Sequence, residues 1–335
     1  MMQDTMTTLS ADEAAKLATG ACIACGASPA MAASLVTATL SAARFGHKDL
    51  GFPHLMDYLE ALKAGRINGN ARPSIRPVLP AFVHADADGG IAQLPFDLAY
   101  DDFRKRVCTF GVALYSQKNS YTAGELGYYV RRLALDGIVS IAVANGPALM
   151  TTAGSGTRVY CTNPIAFGVP TGAGQAPVVI DQASSATAFV RVKRAADLHQ
   201  EIPEGWAVDR SGQPTTDARE AIEGALLPFG GYKGANIALI VELLAAGLTG
   251  SSWSMDGADF LTGDRSPDTG MTIIAIAPTA ADKGFSQRVR THVERLTDVG
   301  VHVPTQSVET DCETSDLEVS EGHLRVLREI VFDAC

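Results

Sequence analysis

The chain has 335 residues, 46% of them hydrophobic and 19% charged, with a formal net charge of -10. That length holds one large domain or two moderate ones with ample core, in proportions ordinary for a soluble globular protein. The acidic balance excludes nucleic acid and anionic lipid as main partners, since both demand basic patches.

The opening stretch, MMQDTMTTLSADEAAK, carries acids where a signal peptide needs a basic start and an apolar run. No apolar stretch reaches membrane-spanning length free of polar residues, so a cytoplasmic protein with no membrane partner is expected. Ser10 and Glu13 form a capping box that opens a helix, and Gly26 stops it. Cys22 and Cys25, a lone CxxC, read as one face of that helix. Six cysteines with no second pair indicate neither a zinc site nor a disulfide scaffold. Ser28-Pro29 starts a second helix that runs to about Phe45. The loop Gly46-His47-Lys48-Asp49-Leu50-Gly51-Phe52-Pro53-His54 follows, dense in ionisable groups and punctuated by glycine and proline. Its histidines and aspartate suit catalysis and suit helix caps and surface polar groups equally well. A third helix is expected over 55–64, turns over 66–80, and a short strand over 82–85.

From Phe96 onward helix and strand alternate: helix 97–109, strand 112–116, a turn at Lys118-Asn119-Ser120, helix 124–136 and strand 138–143. Such alternation predicts an α/β body with side chains presented at strand ends. Ser120, Tyr121 and Asn145 sit at those ends, where loops commonly build sites. Residues 158–170 turn at Asn163-Pro164. Residues 177–180 read as a strand, with Asp181 just past it and Gln182-Ala183-Ser184-Ser185 behind. An acid and hydroxyls at a strand end suit ribose hydroxyls and amides. Yet Gly172-Ala173-Gly174 precedes its strand, so the usual dinucleotide fingerprint is absent, and there is no Walker loop.

Residues 227–250, LPFGGYKGANIALIVELLAAGLTG, turn sharply at Pro228 and Gly230-Gly231, pass one cation, Lys233, and continue as helix over 235–248. That helix has almost no polar face apart from Asn236 and Glu242, which places it inside a domain. Its first-turn N–H groups beside Lys233 suit a phosphate or carboxylate. The alternative is a plain glycine turn with a solvated lysine. Near the C-terminus the acidic run Glu309, Asp311, Glu313, Asp316, Glu318 and Glu321 is expected to stay solvated.

Taken together, Thr162-Asn163-Pro164, Asp181 with Ser184, Ile202-Pro203-Glu204-Gly205-Trp206-Ala207, Pro214-Thr215-Thr216-Asp217 and the Pro228–Gly234 block resemble the second type of malate/L-lactate dehydrogenases. Gly124 with Gly127-Tyr128-Tyr129 fits the same pattern, and the match runs in order from about Leu9 to Pro304. The resemblance implies a non-Rossmann α/β fold that binds NAD or NADP, with an N-terminal helical segment over 1–66. An α/β catalytic body would cover 67–335, its unconventional cofactor-binding region spanning about 120–270. It further implies a homodimer, no metal, and hydride transfer at the carbon next to a carboxylate. Carried over residue by residue, Thr162, Asn163, Asp181, Ala183, Ser184, Ser185, Lys233, Gly234 and Pro304 fall on the cofactor. His47, Ser120 and Asn145 fall on the substrate.

The departures bear on mechanism. Where relatives read Gly-His-Asp-Ser-His-Gly, this chain has Gly46-His47-Lys48-Asp49-Leu50-Gly51. Asp49 replaces a serine, Leu50 the proton-transferring histidine, and Pro53 or His54 an arginine that can grip a carboxylate. A second functional histidine corresponds to Thr122. Reducing a ketone needs a proton donor, which leucine and threonine cannot supply. A protonated imine already carries its proton, and Asp49 would stabilise the cation. Alternatively Tyr121 or His54 acts as the acid. Asp49 could equally be a helix cap or pair with Lys48 or Arg44, and His54 could be a solvated helix start. The expected function is an NAD(P)-dependent oxidoreductase of a small 2-imino or 2-oxo acid, imine slightly favoured. Asp49, His54, Tyr121 and Thr122 are the catalytic candidates. Two alternatives stand: a 2-hydroxy-acid dehydrogenase with a relocated acid, and a nucleotide-binding protein without catalysis.

Overall fold

The computed structural model describes residues 5–46, 48–152, 156–305 and 316–334. Strand β1 (Met6–Leu9) leads into helices α1 (Ala11–Ala24), α2 (Pro29–Phe45) and α3 (Phe52–Lys63). The Ser10 side chain accepts from the Glu13 amide and the Glu13 carboxylate returns to the Ser10 amide, the expected capping box. A 3-10 turn, Lys48–Leu50, joins α2 to α3. Helix α3 begins at Phe52 rather than at 55, because Pro53 suits a first helical turn, where its missing N–H is no loss. His54 therefore lies inside the helix.

Strands β2 (Ser74–Leu79) and β3 (Phe82–Asp86), helix α4 (Gln93–Phe110), strand β4 (Val112–Ser120), helix α5 (Leu126–Leu135) and strands β5 (Val139–Ala144), β6 (Ile165–Val169) and β7 (Val178–Gln182) follow. Next come α6 (Phe189–Asp197), β8 (Ala207–Val208), β9 (Pro214–Thr215), α7 (Ala218–Glu223), β10 (Ala225–Leu226) and α8 (Tyr232–Glu242), which a π turn, Leu243–Gly247, continues. Strand β11 (Thr269–Ile276), α9 (Phe285–Asp298), β12 (Leu317–Ser320) and α10 (Glu321–Asp333) close the chain.

The main sheet runs β2-β3-β4-β11-β5-β6-β7. Only β3 and β4 are parallel, linked across α4; the other neighbours are antiparallel. Strand β2 corrects the expectation of turns over 66–80. Its side chains are largely exposed and it contains Pro77, as an edge strand can. Helices α4 and α5 pack Phe96, Phe103, Tyr129 and Leu133 against Tyr115, Ala142 and Ile273 on one sheet face. The other face meets Val241 and Ala245 through Val143, and Phe285 and Val289 of α9 through Val169 and Val178. Helices α1–α3 share a separate core with Leu317 and Val319 of β12 and Leu324 and Leu327 of α10, and β12 pairs antiparallel with β1.

Helix α8 is not the fully enclosed helix its composition predicts. Ala238, Val241 and Ala245 are buried, whereas Leu239, Ile240 and Leu243 are 44%, 50% and 52% exposed. One stripe meets the sheet and the opposite apolar stripe faces outward. Cys22 on α1 and Cys25 at its C-cap are free and buried, and burial pushes the Cys22 thiol up to about 12. Among the described residues, no helix is long and apolar enough to cross a membrane and no cluster of metal-ligating side chains occurs. Of the C-terminal acidic run, Glu309, Asp311 and Glu313 lie outside the described residues. Glu318 is exposed and pairs with Lys48 at 2.8 Å.

Candidate active site

The altered loop is held from below. Gly46 follows α2 and lies so close to Glu125 that a Cβ there would sit 2.1 Å from Glu125 Oε1. Glu125, buried at the start of α5, pairs with buried Arg131, whose Nη1 donates to Ser41 Oγ at 2.6 Å and whose guanidinium lies over the Phe45 ring. A buried pair of this kind fixes geometry because either charge alone would be costly. It fixes the Glu125 carboxylate that Gly46, at the head of the altered loop, packs against. Asp49 stands half-buried in the 3-10 turn. Lys48, one of its expected partners, is taken by Glu318, and among the described residues the Asp49 carboxylate has no hydrogen bond or ion pair. Leu50 beside it offers no proton. His47 lies outside the described residues.

On α3, His54 Nδ1 meets Asp57 Oδ2 at 2.9 Å, and the imidazole packs edge-on to Tyr58, with centroids 4.8 Å apart. Tyr58 in turn packs on Tyr121 at 5.4 Å, and its hydroxyl donates to the Thr122 carbonyl at 3.1 Å. Gln93 Nε2 donates to the Tyr58 hydroxyl and the Ala123 carbonyl. One ladder of rings thus unites the sequence candidates His54, Tyr121 and Thr122, and adds Tyr58 and Gln93. Burial pushes the Tyr121 hydroxyl up to about 12, with the Asp57 charge adding to the rise and Arg66 opposing it. It stays protonated at neutral pH and is a weak acid there. Thr122 Oγ1 accepts from the Gly124 amide at 3.3 Å.

Ser120 and Asn145 are occupied by the backbone around them. Ser120 Oγ meets Thr269 O and Oγ1 at 3.1 and 3.0 Å. Asn145 Nδ2 donates to Ser252 O at 2.9 Å, and its Oδ1 accepts from the Gly270 amide at 2.8 Å.

The cofactor candidates form one strip across the end of the sheet. The Ser184 amide donates to Thr162 O at 2.8 Å, Ser184 Oγ to Asn163 O at 2.7 Å, and the Phe229 amide to Ser184 O at 3.0 Å. Ser185 bridges to Pro228, half-buried Ala183 lies between the two bonded segments, and the Gly234 amide donates to Phe229 O at 3.0 Å. Pro304 O accepts from the Val179 amide at the outer edge of β7. Asp181, inside β7 rather than past it, accepts from the Gly127 amide at 2.7 Å and so caps α5. The α5 start therefore already faces two carboxylates, Glu125 and Asp181. The α8 start has no side-chain cap: Gly230 and Gly231 take positive φ in open space, and Lys233 is exposed without a partner among the described residues. Of the two helix starts, only α8 suits an anion.

Sequence reasoning noticed Glu242 only as an interruption in an apolar helix. The structure buries it, with Asn163 Nδ2 at 2.8 Å and Ser254 Oγ at 2.7 Å on Oε2, and the Ser254 amide at 2.7 Å on Oε1. It ties the Thr162–Asn163 turn to α8. Phe260 was missed altogether. Its ring packs edge-on to Tyr121 at 6.0 Å, and a Cβ on Gly146 would lie 2.7 Å from Phe260 Cζ and 3.1 Å from Cys161 Sγ. The 257–267 loop thus spans from Tyr121 to the Asn145-Gly146 strand end and the Cys161-Thr162 turn. No local motif announces such a residue.

The comparisons with known proteins agree with this architecture. A model of the malate/L-lactate dehydrogenase family matches residues 9–320. A Delta(1)-pyrroline-2-carboxylate/Delta(1)-piperideine-2-carboxylate reductase of Pseudomonas putida is 37% identical over 314 residues, 91% of this chain and 92% of that relative. A (2R)-3-sulfolactate dehydrogenase (NADP(+)) of Chromohalobacter salexigens is 34% identical over 289 residues, 86% of this chain and 85% of the relative. The crystal structure of delta1-piperideine-2-carboxylate reductase from Pseudomonas syringae superposes with a TM-score of 0.88 at 33% identity, covering 97% of this chain and 99% of that one. A chain with this match, this fold and this arrangement of loops belongs to the malate/L-lactate dehydrogenase family and is an oxidoreductase.

Proposed function

We propose that this oxidoreductase reduces small cyclic 2-imino acids with NADPH, as a homodimer in the cytoplasm. The observation that carries the reading is Asp49: a half-buried carboxylate with no partner among the described residues, beside Leu50, which cannot donate a proton. Such a carboxylate favours a substrate that brings its own positive charge. When bound, the nicotinamide supplies a hydride to the carbon next to the substrate carboxylate. Asp49 holds the iminium nitrogen, whose proton stays in place and leaves a neutral amine. Lys233 and the uncapped α8 start receive a phosphate, and the Thr162–Asn163 and Ser184–Ser185 strip borders the rest of the nucleotide. The names of the Pseudomonas relatives support imine reduction, and the sulfolactate dehydrogenase supports NADP over NAD. The outward apolar stripe of α8 supports the dimer.

A second reading, 2-oxo-acid reduction with a relocated acid, has the His54–Asp57 pair in its favour, since an imidazole held by a carboxylate can deliver a proton. Asp49→Asn separates the two. It keeps the shape and removes the charge, and should lower kcat/KM on a cyclic imino acid by roughly 2–4 kcal/mol, the scale of one well-placed electrostatic contact. Unchanged turnover of the imine by a folded variant would pass the lead to the oxo-acid reading.

A further inference from the structure

Arg66 follows α3 and is 4% exposed, yet it is poorly compensated. Its Nη1 donates to the Gly263 carbonyl at 3.2 Å, its Nη2 lies 3.6 Å from Glu60, a carboxylate that is itself largely in water, and its Nε has no partner. A buried guanidinium ordinarily has its donors filled, and a planar carboxylate fits its fork better than any carbonyl. The second donor is the Tyr121 hydroxyl, whose oxygen lies against the Arg66 guanidinium and whose proton is spent on the Phe260 carbonyl at 2.9 Å. Both carbonyls belong to the 257–267 loop. The same loop places the Phe260 ring against Tyr121 on one side and against Gly146 on the other, close to Cys161. The competing acid Asp57 is held by His54.

We infer that Arg66 and the Tyr121 hydroxyl form the corner that grips the substrate carboxylate, with the Phe260 and Gly263 carbonyls as place-holders that the carboxylate displaces. The inference rests on the reading that the substrate is a small carboxylate. Exchanging two neutral acceptors for an anion strengthens both bonds, and Nε gains a partner. Arg66 then sets specificity: carboxylate-bearing imines are accepted, and imines without the carboxylate gain nothing from it.

The test is steady-state kinetics of Arg66→Met and Tyr121→Phe on Delta(1)-piperideine-2-carboxylate and on 2-methyl-1-pyrroline, a cyclic imine with no carboxylate. Arg66→Met should raise KM for the imino acid about tenfold or more with little change in kcat, and Tyr121→Phe by a smaller factor of about three. Neither should alter KM for the neutral imine or the NADPH dissociation constant. Equal losses on both imines, or an unchanged KM for the imino acid, would overturn the assignment. Should Arg66→Met fail to fold, Tyr121→Phe, which removes one hydroxyl, decides by the same criterion. Calorimetric binding of pyrrole-2-carboxylate, which cannot react, separates this corner from the proposed reaction. If wild type turns over no imine, about tenfold weaker binding in Arg66→Met still supports the corner, and equal binding by both removes it.

Discussion

Asp49 and Lys233 are charges that the described part of the chain leaves without partners, and their burial separates their roles. Lys233 is exposed, so leaving it unpaired costs little, and its value lies in the uncapped α8 start beside it. Lys233→Ala should weaken NADPH binding by about 1.5–3 kcal/mol, the loss of one charge-assisted bond. Fluorescence titration checks this, and unchanged affinity in a folded variant would return Lys233 to a solvated surface role. Lys233 is visible locally as one cation beside a glycine turn, whereas Asp49 stands out only against the motif of the family that the chain resembles. Arg66 and Phe260 were not legible. They reach Tyr121 across 55 and 139 positions, and neither belongs to a pattern that local chemistry demands. Ser120 and Asn145 show the reverse. A strand-end serine or asparagine looks available in sequence, whereas the long-range bonds that occupy both emerge only when β4 and β5 meet the Ser252 and Thr269-Gly270 segments.

At the scale of elements, Glu242 joins α8 to the Asn163 turn and to Ser254 through three hydrogen bonds made inside the protein. Glu242→Ala should destabilise the fold by about 2–4 kcal/mol, because the Asn163 amide and the Ser254 amide and hydroxyl lose a charged acceptor. Urea denaturation measures this, and a change within about 0.5 kcal/mol would mean that water or another group replaces the carboxylate. Helices α1 and α2 were readable almost to the residue, since Ser10-Glu13 and Ser28-Pro29 act locally. Strand β6 was not. It contains Gly168 because a Cβ there would sit 2.5 Å from Val130 O on α5, so the residue that makes the packing fit also weakens the strand signal. The α8 composition indicated burial, and only the folded chain shows that one stripe meets the sheet and the other does not.

For the whole molecule, that outward stripe of Leu239, Ile240 and Leu243, with Trp253 and Met255 also exposed, is an apolar face of the kind that subunit interfaces cover. A homodimer covering it should give twice the 35.1 kDa chain mass by light scattering at micromolar concentration. Leu243→Glu should shift that equilibrium toward monomer, and a wild-type monomer would contradict the dimer. The separate core formed by α1–α3 with α10 and β12 carries the altered loop, while the sheet and α8 carry the strip proposed for the nucleotide, and the start of α5 connects the two, with Gly46 against Glu125 and Asp181 on the Gly127 amide. On this account the chain keeps the family's nucleotide side and changes its proton chemistry. The most direct measurement is the ratio of kcat/KM for Delta(1)-piperideine-2-carboxylate to that for pyruvate, with NADPH and wild-type protein. The account predicts a ratio of at least about a hundred, the scale of one strong electrostatic contact, with activity falling as pH rises and the imine deprotonates. A ratio below one, or reduction of neither substrate while NADPH still binds, would contradict it.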